Sequence, residues 1–352
     1  MKASSHVVLC SLLMICHSTL GQTLVWSDEF DYSGPLDSEK WHHQTLIPNG
    51  QSWYNGEIQH YTDRVENSFV SNGTLKITAI RENFTQQGIT KEFTSARLNS
   101  KFAFTYGRVE VRAKLPFGVG TWPAIWTLGQ NITEPGGYFY SQYGTTPWPA
   151  CGEIDIMEHW GANQNYISSA THTPSSYGGT VNVGGRYVDN VSNEFHVYRL
   201  EWSETRLVFS VDNQVHYIYE PTEQNMDTWP FDLNQYVLLN VAILPEIIPT
   251  GFTQDAMEID YVRVYQNNLE IHQNQSDLFT IYPNPSSDFI KLRGPIQAQF
   301  SYRIVNNLGQ VLKKGILESQ TNSIIVSDLS PGMYWLECTD GTRNQTIPLI
   351  KQ

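Results

Sequence analysis

The chain has 352 residues and a formal net charge of −13, with 22 Lys and Arg against 35 Asp and Glu. This acidic balance argues against a nucleic-acid partner, because phosphates are bound mainly through Lys and Arg. The length allows one large domain and a smaller one, and the four Cys are too few for a disulfide-stapled scaffold.

The N-terminus predicts a secretory signal peptide over residues 1–21. Lys2 precedes the apolar run VVLCSLLMIC, which is followed by the small and polar residues STLGQ. The run is too short to span a bilayer. A lipoprotein signal anchored at Cys16 is the weaker alternative, because Met14 and Ile15 are bulky where such a cleavage site needs small residues. We therefore expect an exported protein.

Residues 22–266 predict an all-β domain. Short strand-like runs recur, among them GTLKITAI, GRVEVRAKL and MEIDYVRVYQ, and Gly, Pro, Asn and Asp separate them. This pattern predicts a β-jelly-roll sandwich of two antiparallel sheets with a curved outer face for a ligand. Aromatic residues make up 12% of the chain, and many lie in polar, Gly-rich surroundings that suit the binding of sugar rings.

The segment CGEIDIMEHWG places three carboxylates, Glu153, Asp155 and Glu158, in one predicted strand. Side chains alternate along a strand, so Glu153 and Asp155 share a face and Glu158 would point away. A β-bulge near Met157 would return Glu158 to that face. Crowding of carboxylates raises the pKa of one partner, which allows one to donate a proton while another is ionised. The alternatives are a solvated strand face and a cation site.

Residues 267–276 are polar and aperiodic, and we interpret them as a linker. Residues 277–352 predict a small C-terminal β-sandwich with its own core, whose strands are separated by turn signals. Tyr334 and Trp335 lie in an apolar run and are assigned to this core. That assignment disfavours the alternative of a carbohydrate-binding module.

The motifs of residues 24–266 together resemble glycoside hydrolase family 16, in the form of its bacterial laminarinases. GEIDIMEHWG is similar to the bulged active-site strand of the family, and LVWSDEF, NGEIQHYTDRVEN, GTWPAIWTLG, THTPSSYGGTVN and MEIDYVRVYQ stand in the family's order. The resemblance implies a concanavalin A-like jelly roll. It also implies endo-hydrolysis of β-1,3-glucosidic bonds in laminarin-like β-glucans, with net retention and no cofactor for catalysis. We expect a monomer.

The resemblance also implies roles for individual residues. Glu153 resembles the nucleophile, Glu158 the acid/base, and Asp155 the carboxylate between them that assists the nucleophile. The residues expected to bind sugar are Asn55, Arg97, Trp122, Trp126 and His172. A purely structural role is the alternative for the Arg and the His.

A structural calcium on the convex face is also implied by the resemblance. Asp260 resembles its side-chain ligand, and backbone carbonyls near Glu29 and Gly73 would complete the site. The alternative is that Asp260 only ends a strand pair.

One segment departs from the family pattern. After LLNVA the family has a Gly- and Trp-rich segment, whereas this chain reads ILPEIIPTGF. The departure leaves open a β-1,3-1,4-glucanase or an algal galactan hydrolase. A non-catalytic β-glucan-binding protein is disfavoured, because both Glu are present. The long loop GQNITEPGGYFYSQYGTTPWPAC is expected to rebuild part of the cleft wall through Tyr138, Tyr140 and Trp148.

Residues 277–352 resemble the type A sorting domain of the type IX secretion system. The similarity is carried by YPNPSSDFIKL, NNLGQVL and DLSPGMYWLE. It implies that the type IX machinery is a partner and exports the chain through an outer membrane. The resemblance further implies removal or surface attachment of this domain, so we expect a secreted or cell-surface protein.

Overall fold

A computed structural model describes residues 22–48, 50–245, 249–267, 280–293, 300–306, 310–317, 323–339 and 344–352. The predicted signal peptide and all but the first residue of the predicted linker lie outside these ranges. The chain divides into two compact units, residues 1–268 and 269–352. In the described ranges, no helix has both the length and the apolar character needed to cross a membrane.

The first unit is built almost entirely of strands. In chain order they are β1 (Gln22–Asp28), β2 (Trp41–His43), β3 (His60–Tyr61), β4 (Ser68–Ser71), β5 (Thr74–Gln86), β6 (Ile89–Ser95), β7 (Arg97–Phe104), β8 (Gly107–Lys114), β9 (Thr121–Gly129), β10 (Glu153–His159), β11 (Tyr166–His172), β12 (Val183–Tyr187), β13 (His196–Trp202), β14 (Leu207–Val211), β15 (Gln214–Tyr219), β16 (Gln235–Ile243) and β17 (Gln254–Asn267). A 3₁₀ turn, Tyr54–Gly56, and a one-turn helix, α1 (Tyr140–Tyr143), interrupt them.

These strands form two sheets, which confirms the predicted all-β jelly-roll sandwich. The ten-stranded sheet has the order β15-β14-β13-β8-β17-β5-β6-β3, with β1 paired to β17 and β4 to β5. The seven-stranded sheet has the order β12-β11-β10-β9-β16-β7-β2. Neighbours are antiparallel except for the short parallel pair β3–β6. The predicted carboxylate strand, β10, therefore lies inside the smaller sheet.

The main core lies between the two sheets and takes residues from strands of both. In β16, Val237, Leu239 and Val241 belong to this core, whereas Asn240 and Ala242 line a cleft. All nine residues of β16 are nevertheless buried. Both faces of β16 are therefore covered, and the cleft lies beside its second face.

The second unit contains two small sheets. Its strands are β18 (Thr280–Tyr282), β19 (Phe289–Arg293), β20 (Phe300–Val305), β21 (Val311–Leu317), β22 (Ser323–Ile325), β23 (Gly332–Thr339) and β24 (Asn344–Lys351), in the orders β18-β19-β22 and β21-β20-β23-β24. Tyr334 is buried in the core of this unit, as predicted. The core assignment of Trp335 is wrong, because it is 38% exposed. Successive strand residues face opposite sides, so only one of the two can point inward.

Candidate active site

The three carboxylates reach one face of β10 through a bulge. In the pairing with β9, Asp155 lies opposite Trp126 and Met157 lies opposite Ile125, so Ile156 is the additional residue. The pairing with β11 shifts at the same place. An extra residue resets the two-residue alternation of a strand. The structure thus places the bulge where the carboxylate spacing predicts it.

The bulge separates polar from apolar side chains. Glu153, Asp155 and Glu158 all line one cleft. Ile154, Ile156 and Met157 all belong to the core between the sheets. The odd offset of Glu158 is therefore compatible with a single acidic face.

The cleft lies on the face of the smaller sheet that is turned away from the core. Its volume is about 450 Å³. Alternate residues of β9 contribute to it, as strand periodicity requires, namely Trp122, Ala124, Trp126 and Leu128. Loop residues complete the lining, among them Tyr54, Asn55, Glu134, Pro147 and Trp148. A concave site with apolar walls and a few converging polar groups is typical of a small-molecule or sugar site.

Glu158 is held by an indole from the cleft floor. Nε1 of Trp122 donates to Oε1 of Glu158 at 3.0 Å. Trp122 itself stacks on Trp160, with ring centroids 4.2 Å apart. Burial, followed by the nearby charge of Asp155, raises the pKa of Glu158 to about 8. A carboxyl group that keeps its proton near neutral pH is suited to general-acid catalysis.

Glu153 receives its indole from a loop. Nε1 of Trp148, in the segment between β9 and β10, donates to Oε2 of Glu153 at 3.1 Å. On the other side, Nε2 of His172 lies 3.6 Å from Oε1 of Glu153. Burial and the charge of Asp155 raise the pKa of Glu153, whereas the nearby His172 lowers it. The indole donor favours the ionised carboxylate.

Asp155 lies between the two Glu and faces His172. Nδ1 of His172 accepts a hydrogen bond from the backbone N–H of Gly178 at 3.1 Å, so the proton of a neutral imidazole is on Nε2. That Nε2 lies 3.1 Å from Oδ2 of Asp155. Burial raises the pKa of Asp155. The predicted site residue His172 thus contacts the carboxylates directly.

The same residues bear on the alternative of a cation site. Glu153, Asp155 and His172 each present a ligand atom within 4.8 Å of the others. A metal would need Nε2 of His172 without its proton, however, and the bond from Gly178 keeps the proton there. The arrangement favours a carboxylate cluster beside a neutral imidazole over a metal centre.

Arg97 and Asn55 both line the cleft, where the resemblance places them. Nη2 of Arg97 donates to both carboxylate oxygens of Glu134, each at 3.0 Å, and Nε donates to Gln44 at 3.1 Å. The guanidinium also lies 4.8 Å from the ring centroid of Trp126. Much of its hydrogen-bonding capacity thus serves the protein, which supports the structural alternative beside the predicted sugar contact.

Sequence reasoning missed the buried polar chain behind Trp126. Nε1 of Trp126 donates to Asn240 at 2.7 Å, Asn240 donates to the hydroxyl of Tyr61 at 3.1 Å, and Tyr61 donates to Glu57 at 2.9 Å. Burial raises the pKa of Glu57. The chain fixes the orientation of the Trp126 ring. The bonds of Asn240 to Trp126 and to Tyr61 span 114 and 179 residues, so no local motif signals them.

Glu134 was also missed, and it comes from the long loop between β9 and β10. The loop does form part of the cleft wall, through Trp148 and Glu134. The prediction for Tyr138 and Tyr140 is wrong, because the described lining of the cleft includes neither and each is 39% exposed. In the departing segment ILPEIIPTGF, residues 246–248 lie outside the described ranges.

The predicted calcium positions meet at β17. Asp28 pairs with Val262 and Leu75 pairs with Ile259, so Asp260 lies between the end of β1 and the start of β5. Residues 29 and 73 adjoin these strands. The carboxylate of Asp260 forms an ion pair with Arg112, and that of Glu29 pairs with Arg263 at 2.7 Å. The calcium site stays a prediction, and the side chain of Asp260 already has a cationic partner.

Comparisons with known proteins agree with this geometry. Residues 55–263 match the family model of glycosyl hydrolases family 16, and residues 280–352 match the secretion system C-terminal sorting domain. The second match identifies the chain as an exported protein that is secreted or held at the cell surface. The carbohydrate-binding alternative for this unit is thereby overturned.

Three relatives illustrate the similarity. The β-glucanase of Rhodothermus marinus is 40% identical over 261 residues, which cover 69% of this chain and 85% of that protein. A variant of LamA from Zobellia galactanivorans, solved with laminaritriose and laminaritetraose, is 51% identical with a TM-score of 0.65 and covers 69% of this chain and 99% of that one. SCLam, a non-specific endo-β-1,3(4)-glucanase, is 36% identical with a TM-score of 0.62 over 70% of this chain and 95% of that one. By sequence and by fold, the chain belongs to glycosyl hydrolases family 16.

Proposed function

We propose that the protein is an exported endo-glucanase that cleaves β-1,3-glucosidic bonds in laminarin-like β-glucans. The observation that carries the proposal is the complete cluster of Glu153, Asp155 and Glu158 on an aromatic-lined cleft. The similarity to LamA, which was solved with laminarin oligosaccharides, supports this choice of glucan.

The proposed reaction is a retaining double displacement. A carboxylate oxygen of Glu153 attacks the anomeric carbon while Glu158 gives its proton to the departing glycosidic oxygen. Water then attacks the glycosyl-enzyme, and Glu158 takes a proton from that water as Glu153 leaves. Glu158 begins protonated and ends protonated, so one cycle consumes only water and one glycosidic bond.

The surroundings of each carboxyl support this division of roles. Glu153 faces two N–H groups, those of Trp148 and His172, which favour its charged form. Glu158 accepts one bond, from Trp122. Burial raises the pKa of both Glu, so the proposed division rests on their hydrogen-bond donors. Asp155 lies close to both, so its charge raises the pKa values of both Glu. Two titratable groups whose surroundings differ in this way are the usual basis of acid and nucleophile roles.

The second candidate is a β-1,3(4)-glucanase of broader specificity. The similarity to SCLam favours it, and so does the departure of the segment after β16. A non-catalytic binding protein is disfavoured by the presence of all three carboxylates. The two glucanase candidates share the chemistry and differ in the sugars accepted beside the cleaved bond.

Reducing-sugar release by the full chain from laminarin, lichenan and agarose tests the proposal. We expect release from laminarin that Glu153→Ser abolishes, whereas Glu66→Gln, a change at an exposed carboxylate, leaves it intact. Proton NMR should show the β anomer as the first product. Release from lichenan at a similar rate would select the broader specificity. Folded protein without activity on any of the three would contradict the proposal.

We also retain the calcium as a proposal, held by Asp260 and by backbone carbonyls near Glu29 and Gly73. Calcium would have to displace Arg112 from the Asp260 carboxylate, since the two cations compete for it. The melting temperature with calcium and with a chelator should then differ in the wild type and agree in Asp260→Asn. Equal melting temperatures of the wild type with calcium and with the chelator would contradict the proposed calcium site.

The monomeric state and the domain boundaries are proposals as well. We assign residues 22–266 to the catalytic domain, 267–276 to a linker and 277–352 to the sorting domain. A single mass corresponding to one chain in light scattering, and proteolysis confined to the linker, are the expected results. A dimer mass or cleavage inside β17 would contradict them.

A further inference from the structure

Ser169 lies directly behind the bulge that turns Glu158 into the cleft. Where β10 has the two bulge residues Ile156 and Met157, β11 opposes them with Ser169 alone. The pairings of β10 with both neighbours skip Ile156, so its backbone is displaced from the regular ladder. A buried carbonyl that leaves the ladder needs another donor.

Ser169 supplies that donor. Its side chain is fully buried, and Oγ donates to the carbonyl oxygen of Ile156 at 2.7 Å. Ile167 and Thr171, on the same strand, are also fully buried, and Ile167 belongs to the core between the sheets. Ser169 therefore acts from the core side of the strand, opposite the cleft.

His216 completes the arrangement from the other sheet. Its Nε2 lies 2.8 Å from Oγ of Ser169. The single hydroxyl proton of Ser169 is committed to Ile156, because a carbonyl oxygen can only accept. Oγ must therefore accept from His216, which carries its proton on Nε2. A donor on β15 of the larger sheet thus fixes a hydroxyl that fixes the bulge of the smaller sheet.

We propose that Ser169 and His216 are positioning residues for the proton donor, acting through the Ile156 carbonyl to keep Glu158 on the cleft face. A strand whose register slips by one residue exchanges its two faces. Loss of the bulge would restore regular alternation and turn Glu158 to the core face, away from Glu153 and Asp155. The inference rests on the proposed role of Glu158 as acid/base.

The hydrogen bond of Ser169 to the Ile156 carbonyl acts differently from that of Trp122 to Glu158. Trp122 contacts the proposed proton-donating carboxyl group itself, whereas Ser169 bonds from the core side of the strand to the Ile156 carbonyl and to His216. Loss of the hydroxyl should therefore impair proton delivery while leaving sugar binding unchanged. This separation is measurable.

The test compares two leaving groups in the full-length protein. Cleavage of laminarin requires a proton on the departing oxygen, whereas 2,4-dinitrophenolate departs from a dinitrophenyl β-laminaribioside without one. For Ser169→Ala we expect kcat on laminarin to fall about 10-fold to 100-fold, within the range that general-acid catalysis contributes. KM and the single-turnover release of dinitrophenolate should remain near wild-type values.

Variants of His216 provide the rescue arm. His216→Leu removes the donor and should show the same selective loss at smaller size, whereas His216→Gln keeps a side-chain N–H and should recover most of the activity. Thr171→Val is the matched control, because it removes a buried hydroxyl from the same strand opposite the regular residue Ile154. It should leave the ratio of the two activities unchanged.

Glu158→Gln separates failure of this inference from failure of the proposed function. It should lose laminarin activity and keep the single-turnover release of dinitrophenolate. If it does not, the acid/base assignment itself is wrong. If it does, but Ser169→Ala lowers both activities equally, lowers neither, or matches Thr171→Val, then Ser169 has no positioning role.

Discussion

Glu153 and Glu158, near the two ends of β10, each accept a hydrogen bond from a Trp indole. One Trp lies on a strand and the other on a loop. Glu158 accepts from Trp122, a residue of the sheet whose ring stacks on Trp160 at 4.2 Å. Glu153 accepts from Trp148, which lies on a loop and is 40% exposed. The proposed acid/base is thus supported by the sheet, whereas the proposed nucleophile is supported by a loop.

The loop that carries Trp148 is placed by a buried ion pair. Glu134, on the same loop, binds Arg97 of β7 through two bonds of 3.0 Å, and both side chains are about 5% exposed or less. A buried pair adds little stability by itself, yet removal of one partner leaves an uncompensated charge. We therefore expect the Glu153 end of the cleft to depend on this ion pair more than the Glu158 end does.

The largest expected effect is loss of Glu153, the proposed nucleophile. Glu153→Gln keeps the shape and the indole bond but cannot attack, so kcat on laminarin should fall by at least about 1,000-fold. Initial-rate assays on purified protein measure it, with Glu66→Gln as the control. A fall of only a few-fold would mean that Glu153 and Glu158 do not divide the roles as proposed.

The next largest effect is expected from disruption of the ion pair between Arg97 and Glu134. Glu134→Gln leaves the Arg97 guanidinium buried beside a neutral amide, which should lower the free energy of unfolding by about 3 kcal/mol. Urea denaturation measures it. The same variant should lower the reactivity of Glu153 more than the proton donation of Glu158, as read from the two leaving groups. An equal effect on both would show that the loop does not serve one end selectively.

The carboxylate cluster should also make stability depend on pH. The pKa of Glu158 in the folded protein is about 8, above its ordinary value of 4.5, so the folded state holds a proton that the unfolded chain has lost between those values. Wild-type stability should consequently fall as pH rises from 4.5 to 8.

Glu158→Gln removes the contribution of this carboxyl, whereas Glu153 and Asp155, whose pKa values burial also raises, keep theirs. The variant should be more stable than the wild type at pH 8 by about 1–3 kcal/mol, with little difference at pH 4.5. Denaturation at both pH values measures it. A gain of equal size at both would locate the effect in packing instead of ionisation.

The smallest effects compare the two indoles directly. Trp122→Phe removes a donor that lowers the pKa of Glu158, so the alkaline limb of the rate profile should move to higher pH. Trp148→Phe removes a donor to Glu153, so the acidic limb should move to higher pH. Each kcat should fall about 10-fold, equivalent to about 1.4 kcal/mol. If both variants moved the same limb, the assignment of the two Glu would be wrong.

Local patterns predicted the strand-rich fold and the acidic face. The alternation of GEIDIMEHWG contains both the periodicity and its interruption, so the bulge near Met157 follows from residues within one strand. Contacts across long sequence distances could not be predicted in this way. Tyr138 and Tyr140 were placed in the cleft from composition alone, and the loop turns Trp148 and Glu134 toward it instead.

By itself, the sequence determined an exported β protein with three carboxylates on one face, because alternation and bulges are properties of a single strand. Only the tertiary structure decided what holds those carboxylates. Trp122 and Trp148 lie 36 and 5 residues from the Glu that they contact, and Ser169 meets His216 across 47 residues. Hydrogen bonds depend on the positions of atoms in the packed sheets. Those positions follow from which strands pair and in which register, and a local sequence pattern does not specify either.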